Sequence, residues 1–296
     1  MVRFGVSSWL SDSGRQWRDA ARRYEQLGYD TVWVADHVGM LDPFTALVAA
    51  GSATERIKLG TYVLNVEFWN PLLLARTAAT ADLMTDGRLV LGLGAGHAQV
   101  EFEQAGLPYP PAGQRVDRLA ATVPAVRRLM AGETVDEPAL RLQAAATGLE
   151  PVRPPILVGG NGDRVLTLAA TAADVAGVVG FTAGTGRVHS NLSHWSWEGL
   201  AERLAFVRAA ATGQPPEVDL LVQRVVITDD PAGALADFMD AGMTEEQIDS
   251  PFLLVGSEQG VLEHLARLDE MGIDGVTVFA RDGNADALAP LLTRLR

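Results

Sequence analysis

The amino-acid sequence predicts an α/β protein built as a closed (β/α)8 barrel with insertion segments. Three observations predict it. Eight short apolar or β-branched runs, near residues 4, 33, 60, 91, 157, 177, 223 and 277, are each followed by at least one helical stretch. The runs are continuously apolar, as strands buried on both faces are. The first strand exits through Ser7-Ser8-Trp9-Leu10-Ser11, which is no glycine-rich dinucleotide turn, so a doubly wound open sheet loses its main support.

Taken in order, Arg3–Trp9 alternates Phe4, Val6 and Ser8 against Gly5 and Ser7 as a strand. Arg15–Leu27 carries Trp17, Ala20, Ala21, Tyr24 and Leu27 at helical spacing and stops at Gly28. Thr31–Ala35 is a buried strand, and Pro43–Gly51 a helix with proline near its start. Ile57–Leu64 is a strand, Pro71–Met84 a helix and Leu89–Leu93 a strand. Gly94–Gly113 reads as a Gly/Pro-rich loop, and a loop that long within a domain is usually functional. Arg115–Ala131 follows as a helix and Glu133–Glu150 as an insertion. The rhythm resumes with strand Ile156–Val158, helix Asp163–Thr171 and strand Asp174–Val179. A polar loop, Gly184–Ser196, leads to helix Trp197–Ala211, strand Val218–Thr228 and helix Pro231–Ala241. After a short insert, Thr244–Asp249, come helix Gly260–Met271, strand Gly275–Phe279 and helix Asp286–Leu295. Residues 1–296 therefore read as one barrel domain, with insertions near 94–113, 133–150 and 184–196.

Composition narrows the function. A chain of 296 residues can bury roughly three-quarters of its unfolded surface, so it needs no disulfide or metal to hold its core. The absence of cysteine excludes disulfides, thiolate zinc sites, Fe–S clusters and cysteine nucleophiles. A net charge of −13 argues against nucleic acid or an anionic membrane as partner. The start, Met1-Val2-Arg3-Phe4-Gly5-Val6, lacks a basic stretch followed by an apolar run, and no apolar run reaches the roughly 18 residues of a membrane span. A soluble, cytoplasmic protein is expected. The sole lysine, Lys58, begins the third strand on the barrel's stability face, a poor place for Schiff-base chemistry.

Barrel sites lie at the C-terminal strand ends and in the loops beyond them. Asp36 and His37 follow the second strand. Asn65, then Glu67, Phe68 and Trp69, follow the third. Gly94, Ala95, Gly96 and His97 follow the fourth, and Gly159, Gly160, Asn161 and Gly162 the fifth. His37 either moves a proton near neutral pH or caps the next helix. The glycines of 92–96 either admit a flat ligand close to the backbone or let the strand exit tightly. Gly159–Gly162 is either a phosphate turn at a helix N-terminus, with Arg164 adding charge, or an ordinary βα turn. His189 and His194 flank Trp195 and Trp197 without a carboxylate partner, so no metal site is expected there. No His-x-His stands on the first strand, which counts against a metal-dependent hydrolase. His264 is expected to be exposed, and Asp229-Asp230 before Pro231 to cap a helix.

These motifs jointly resemble a family. Gly28–His37 resembles the second-strand motif of the luciferase-like monooxygenase superfamily. So does Ile57–Asn65, followed by Asn70-Pro71 and Ala75-Arg76. Leu83–Gly96 is similar to its fourth-strand signature, Pro154–Gly160 to its fifth-strand phosphate turn, and Asp249–Ser257 to its late segment. The branch most resembled is the actinobacterial type of coenzyme F420-dependent oxidoreductases. The resemblance implies a TIM barrel, usually a homodimer, with a flavin-type ring at the mouth and its phosphate on Gly159–Arg164. It implies that Asp36 and His37 lie beside the ring, with His37 in proton transfer. It implies a non-proline cis bond between Tyr62 and Val63 propping the ring, with Asn65, Ala95, Gly96 and His97 in contact with the cofactor. His97 stands where a sugar-phosphate dehydrogenase relative has Glu, and that enzyme's lysine-based phosphate site has no counterpart here. Trp9, Phe68, Trp69, His97 and Trp195 are the substrate-side candidates, suited to a flat, apolar small molecule. F420-dependent hydride transfer is the leading reading. The alternative is an FMN-dependent monooxygenase, which alone would need a flavin reductase as partner. A cofactor-binding protein without turnover is the reading from another class.

Overall fold

Eight parallel strands close into a ring in the computed structural model, which describes residues 2–8, 11–180, 192, 194–236, 244–280 and 284–294. The strands are β1 (Arg3–Ser7), β2 (Thr31–Val34), β3 (Lys58–Thr61), β4 (Leu89–Gly94), β5 (Ile156–Gly159), β6 (Val175–Val178), β7 (Glu217–Val222) and β8 (Gly275–Phe279). Each pairs with its sequence neighbours. β1 meets β8 (Phe4 opposite Val276), and β3 meets β4 (Leu59 opposite Leu89). The expected (β/α)8 barrel is the architecture observed.

Alternation along the strands separates two apolar regions. Phe4, Val6, Val32, Val34, Leu59, Leu91, Val158 and Val276 join the larger core, shared with the helices. Trp33, Tyr62, Val90 and Leu157 form a second cluster, made of the alternate strand positions. Small residues make room for its rings. A Cβ on Gly5 would lie 2.3 Å from Trp33 Nε1, and one on Gly60 2.2 Å from the same indole.

Local signals start and stop the helices. Ser13 accepts from Gln16 N–H to open α1 (Gly14–Leu27), and Gly28 closes it at φ 92°. Asp42 and Asn70 cap α2 (Pro43–Gly51) and α3 (Pro71–Met84), each with proline in the first turn.

Three stretches and one residue differ from the sequence reading. Gly94–Gly113 is not loop throughout: it holds α4 (Gln99–Gln104) and the start of α5 (Ala112–Met130). Phe102, fully buried, anchors α4. Glu133–Glu150 contains an antiparallel hairpin, Val135–Glu137 with Leu142–Ala144. Val218–Thr228 is two strands. After Val222 the chain leaves the barrel, and Arg224–Ile227 pairs in parallel with Leu253–Gly256. Thr228, Asp229 and Asp230 therefore follow this outer ladder, and Asp230 caps a short helix by accepting from Gly233 N–H. His264 is half-buried rather than exposed, its ring 4.6 Å from that of Trp197, and burial pushes its pKa down to about 4. The expected loop 184–196 lies mostly outside the described residues. Among the described residues, no helix is long and apolar enough to cross a membrane.

Candidate functional site

The C-terminal end of β2 delivers Asp36, and its neighbours hold it from two sides. Asp36 Oδ2 accepts from Asn65 N–H (3.1 Å) and from Trp69 Nε1–H (3.1 Å). The exits of β2 and β3 are thereby tied together. Burial raises the Asp36 pKa, and these two donors oppose the rise.

His37 reaches in another direction. Its Nδ1 lies 2.6 Å from Glu101 Oε1, on α4. With Glu101 ionised, Nδ1 carries the proton and Nε2 is the basic nitrogen. Nε2 has no partner among the described residues. The ring of His97 stands perpendicular to that of His37, 5.9 Å away. His97 is exposed at the mouth yet walled in, and this partial desolvation, reinforced by His37, lowers its pKa. The loop beneath is pinned. Arg115 Nε donates to the Gly96 carbonyl (3.1 Å), Tyr109 Oη donates to the His97 carbonyl (3.0 Å), and the Arg115 guanidinium covers the Tyr109 ring at 4.3 Å.

The Tyr62–Val63 peptide bond is cis, as the resemblance implies. Val63 packs into a wall cleared of side chains: a Cβ on Gly94 or Gly159 would lie 2.5 or 2.8 Å from its methyl carbons. Gly96 has φ +71°, and a Cβ there would lie 2.3 Å from Asn65 Oδ1. Asn65 is buried and also accepts from Glu67 N–H. Ala95 is half-buried beside it.

Across the mouth, Gly159, Gly160 and Asn161 lead into α6 (Asp163–Ala172). Gly162 precedes this helix without a side-chain cap; its carbonyl accepts from Val165 and Leu166 N–H, and the first two N–H groups of the helix have no side-chain cap. Asn161 is 2% exposed; its Nδ2 lies 3.2 Å from His194 Nδ1, and its Oδ1 has no partner among the described residues. Arg164 is exposed and paired with Asp117. Arg203, mostly buried, holds Asp163 on the same first turn.

The substrate-side candidates separate. Phe68 and Trp69 are half-buried near Asp36, against Phe102 (5.0 Å) and Phe44 (5.4 Å) respectively. Trp195 is buried, stacked on Phe252 at 5.1 Å, its indole N–H donating to the Gln247 carbonyl at 2.7 Å. The structure gives it the partners of a packing residue. Trp9 lies outside the described residues, as does His189. Among the described residues no three His, Asp or Glu side chains gather to hold a metal ion.

Sequence reading missed Glu101, Arg115 and Arg203. Glu101 was hidden in a stretch read as loop. The run Gln99–Gln104 holds helix-forming Gln and Glu around Val100 and Phe102, but six residues are too few to show a helical period.

Comparison with known proteins bears on the fold and the family. Over 263 residues the chain is 28% identical to a 5,10-methylenetetrahydromethanopterin reductase of Methanolobus tindarius, covering 88% of this chain and 74% of that one. It is 35% identical to an F420-dependent glucose-6-phosphate dehydrogenase of Intrasporangium calvum over 63% of this chain, and the match spans only 60% of that enzyme. Its fold superposes on the crystal structure of a monooxygenase from Streptomyces bottropensis with TM-score 0.77 and 20% identity, covering all of both chains. The profile of the luciferase-like monooxygenase family matches residues 1–243, and the chain belongs to that family of oxidoreductases.

Proposed function

We propose that this protein is a coenzyme F420-dependent oxidoreductase that transfers hydride between the deazaflavin C5 and a small organic substrate, with His37 carrying the matching proton. The observation that carries the reading is the 2.6 Å contact between His37 Nδ1 and Glu101, which leaves Nε2 as a base at the mouth. F420 is preferred because it is named in the Intrasporangium relative.

The residues present fit such a cofactor. Gly94, Gly96 and Gly159 make room for Val63 and Asn65, and those two side chains with Ala95 would border a flat ring. The first two N–H groups of α6, which have no side-chain cap, suit an anionic tail. When bound, the deazaflavin supplies two electrons as hydride. The protein's own groups do the rest. Asp36, fixed by Asn65 and Trp69, sets the depth of the mouth. Phe68 and Trp69 offer apolar surface to the substrate. Glu101 holds His37 so that Nε2 accepts a hydroxyl proton in oxidation and returns it in reduction. His97, perpendicular to His37, is placed to hydrogen-bond the same oxygen.

Calorimetry with the oxidised deazaflavin and with FMN, run in parallel at fixed salt, tests the reading. Preferential F420 binding is expected, and His37→Asn should keep that binding while losing turnover. Preferential FMN binding with oxygen uptake would overturn it in favour of the monooxygenase alternative.

A further inference from the structure

The loops at the mouth have a charge pattern that the His37–Glu101 pair does not explain. Residues 35–42, 65–70 and 95–111 follow β2, β3 and β4, and they hold five carboxylates (Asp36, Asp42, Glu67, Glu101 and Glu103) but no lysine or arginine. Two arginines of α5 reach these loops, and both are committed there. Arg115, 6% exposed, donates to the Gly96 and Pro110 carbonyls and covers the Tyr109 ring. Arg118 donates to the Val66 and Trp69 carbonyls and faces Glu67 at 3.6 Å. An anionic group on a substrate would meet carboxylates in these loops and no cation of theirs to offset them.

The same loops leave apolar side chains in water. Val38 is 49%, Val100 58% and Leu107 41% exposed, three of the seven large apolar side chains exposed among the described residues. A single exposed Val or Leu is ordinary. These three stand around one hydrogen bond. Val38 follows His37 in the chain, Val100 precedes Glu101, and His37 Nδ1 lies 2.6 Å from Glu101 Oε1. Consecutive Cα atoms are about 3.8 Å apart, so Val38 and Val100 flank the pair directly. Leu107 N–H donates to the Phe102 carbonyl at 2.8 Å, which brings Leu107 back beside α4. Of the two large apolar side chains of α4, Phe102 is buried and anchors the helix, whereas Val100 adds nothing to its seating.

We infer, on the functional reading above, that the substrate is an uncharged aliphatic alcohol, interconverted with its ketone, whose chain runs outward over Val38, Val100 and Leu107. Oxidation breaks the carbinol C–H bond, both electrons leaving as hydride to the deazaflavin C5, and the O–H bond, whose proton goes to His37 Nε2; the C–O bond becomes a carbonyl. Reduction runs the same steps backward. The chain covers apolar side chains that otherwise stand in water. A carboxylate or phosphate at its end would be drawn toward the carboxylates of the same loops, which disfavours it.

The probes are 2-butanone, 2-hexanone and 2-octanone, titrated by calorimetry into protein saturated with oxidised deazaflavin, on which a ketone binds without reacting. A methylene resting on a half-exposed apolar surface should tighten binding about twofold, half the free energy of full burial, so 2-octanone should bind roughly 16-fold tighter than 2-butanone. 4-Oxopentanoate, which carries a carboxylate where 2-pentanone has its terminal methyl, should bind about tenfold more weakly than 2-pentanone. The double variant Val100→Ser with Leu107→Ser changes only exposed side chains. It should cut the chain-length effect to about fourfold and leave deazaflavin affinity within about twofold. Reduced deazaflavin on the parent protein should be reoxidised by 2-octanone, read as recovery of the oxidised cofactor's absorbance. Failure of the deazaflavin to bind would overturn the functional reading and this inference with it. With deazaflavin bound, affinity indifferent to chain length or to the double variant, 4-oxopentanoate as tight as 2-pentanone, or no reoxidation by any of the ketones would each overturn the substrate class alone.

Discussion

Glu101→Gln tests the proton-handling pair most directly. The hydrogen bond to His37 Nδ1 is 2.6 Å long, and the two side chains are 13% and 32% exposed. A buried charge-assisted bond is worth about 1.5–3 kcal/mol. The partial exposure of His37 moves this pair to the lower half of that range, about 1.5–2 kcal/mol. Glutamine keeps the shape but can present either an N–H or a carbonyl to Nδ1, so the carboxylate's choice of tautomer is lost. If Nε2 is the working base, the rate of cofactor reduction or oxidation should fall about 10- to 30-fold. Cofactor affinity should hold within about twofold, because Glu101 reaches the cofactor only through His37. Stopped-flow absorbance of the bound deazaflavin measures the rate, using whichever substrate the parent protein turns over. Nitrogen-15 NMR of the imidazole reads the tautomer independently: predominantly Nδ1–H in the parent, mixed in the variant. An unchanged tautomer together with an unchanged rate would refute the reasoning.

Three further outcomes follow from the geometry. Burial lifts the Asp219 carboxyl to about 7, well above its unfolded value, so folding takes up a proton. That contribution is fully present below about pH 4 and is lost as pH rises through about 7. Asp219→Asn should therefore be more stable than the parent at pH 8, by on the order of 2–4 kcal/mol, and no more stable at pH 4. Denaturant unfolding at the two pH values measures this, and parallel pH dependence in both proteins would refute it. Gly96→Ala must place a Cβ on Asn65 Oδ1 at φ +71°, so it should lower stability by about 1–3 kcal/mol and weaken deazaflavin binding; thermal denaturation with and without cofactor checks both. Arg164→Ala should weaken cofactor binding by only about 1 kcal/mol, because the guanidinium is exposed and shared with Asp117; calorimetry checks this, and a loss of tighter-binding scale would mean the pair opens on binding.

The barrel was legible because its signals are local. Each strand run is apolar on both faces and ends at glycine, proline or a polar residue, and the helices carry their own caps, such as Ser13, Asp42 and Asn70. The division of the seventh strand was not legible, since the apolar run continues past Val222 and only its partner Leu253–Gly256, far along the chain, shows where it leaves the ring. In the candidate site, the strand-end residues Asp36, His37 and Asn65 could be placed from sequence because topology fixes where strand ends go. Glu101 could not, because α4 is six residues long with one buried anchor, too short to show a period. The surroundings of Trp195 and His264 depend on the segment 247–252, which packs against them from outside the βα rhythm.

The His37–Glu101 pair is assembled from two kinds of structure. His37 follows a barrel strand, whereas Glu101 rides on the segment between β4 and α5, fastened by Phe102, Tyr109 and Arg115. The barrel thus decides where the imidazole stands, and a detachable loop decides which of its nitrogens is basic. If the proposed proton transfer holds, reaction preference can drift by rewriting residues 98–110 alone, with the eight-stranded frame untouched. A transplant of that segment between members of the family would exchange proton logistics as a cassette.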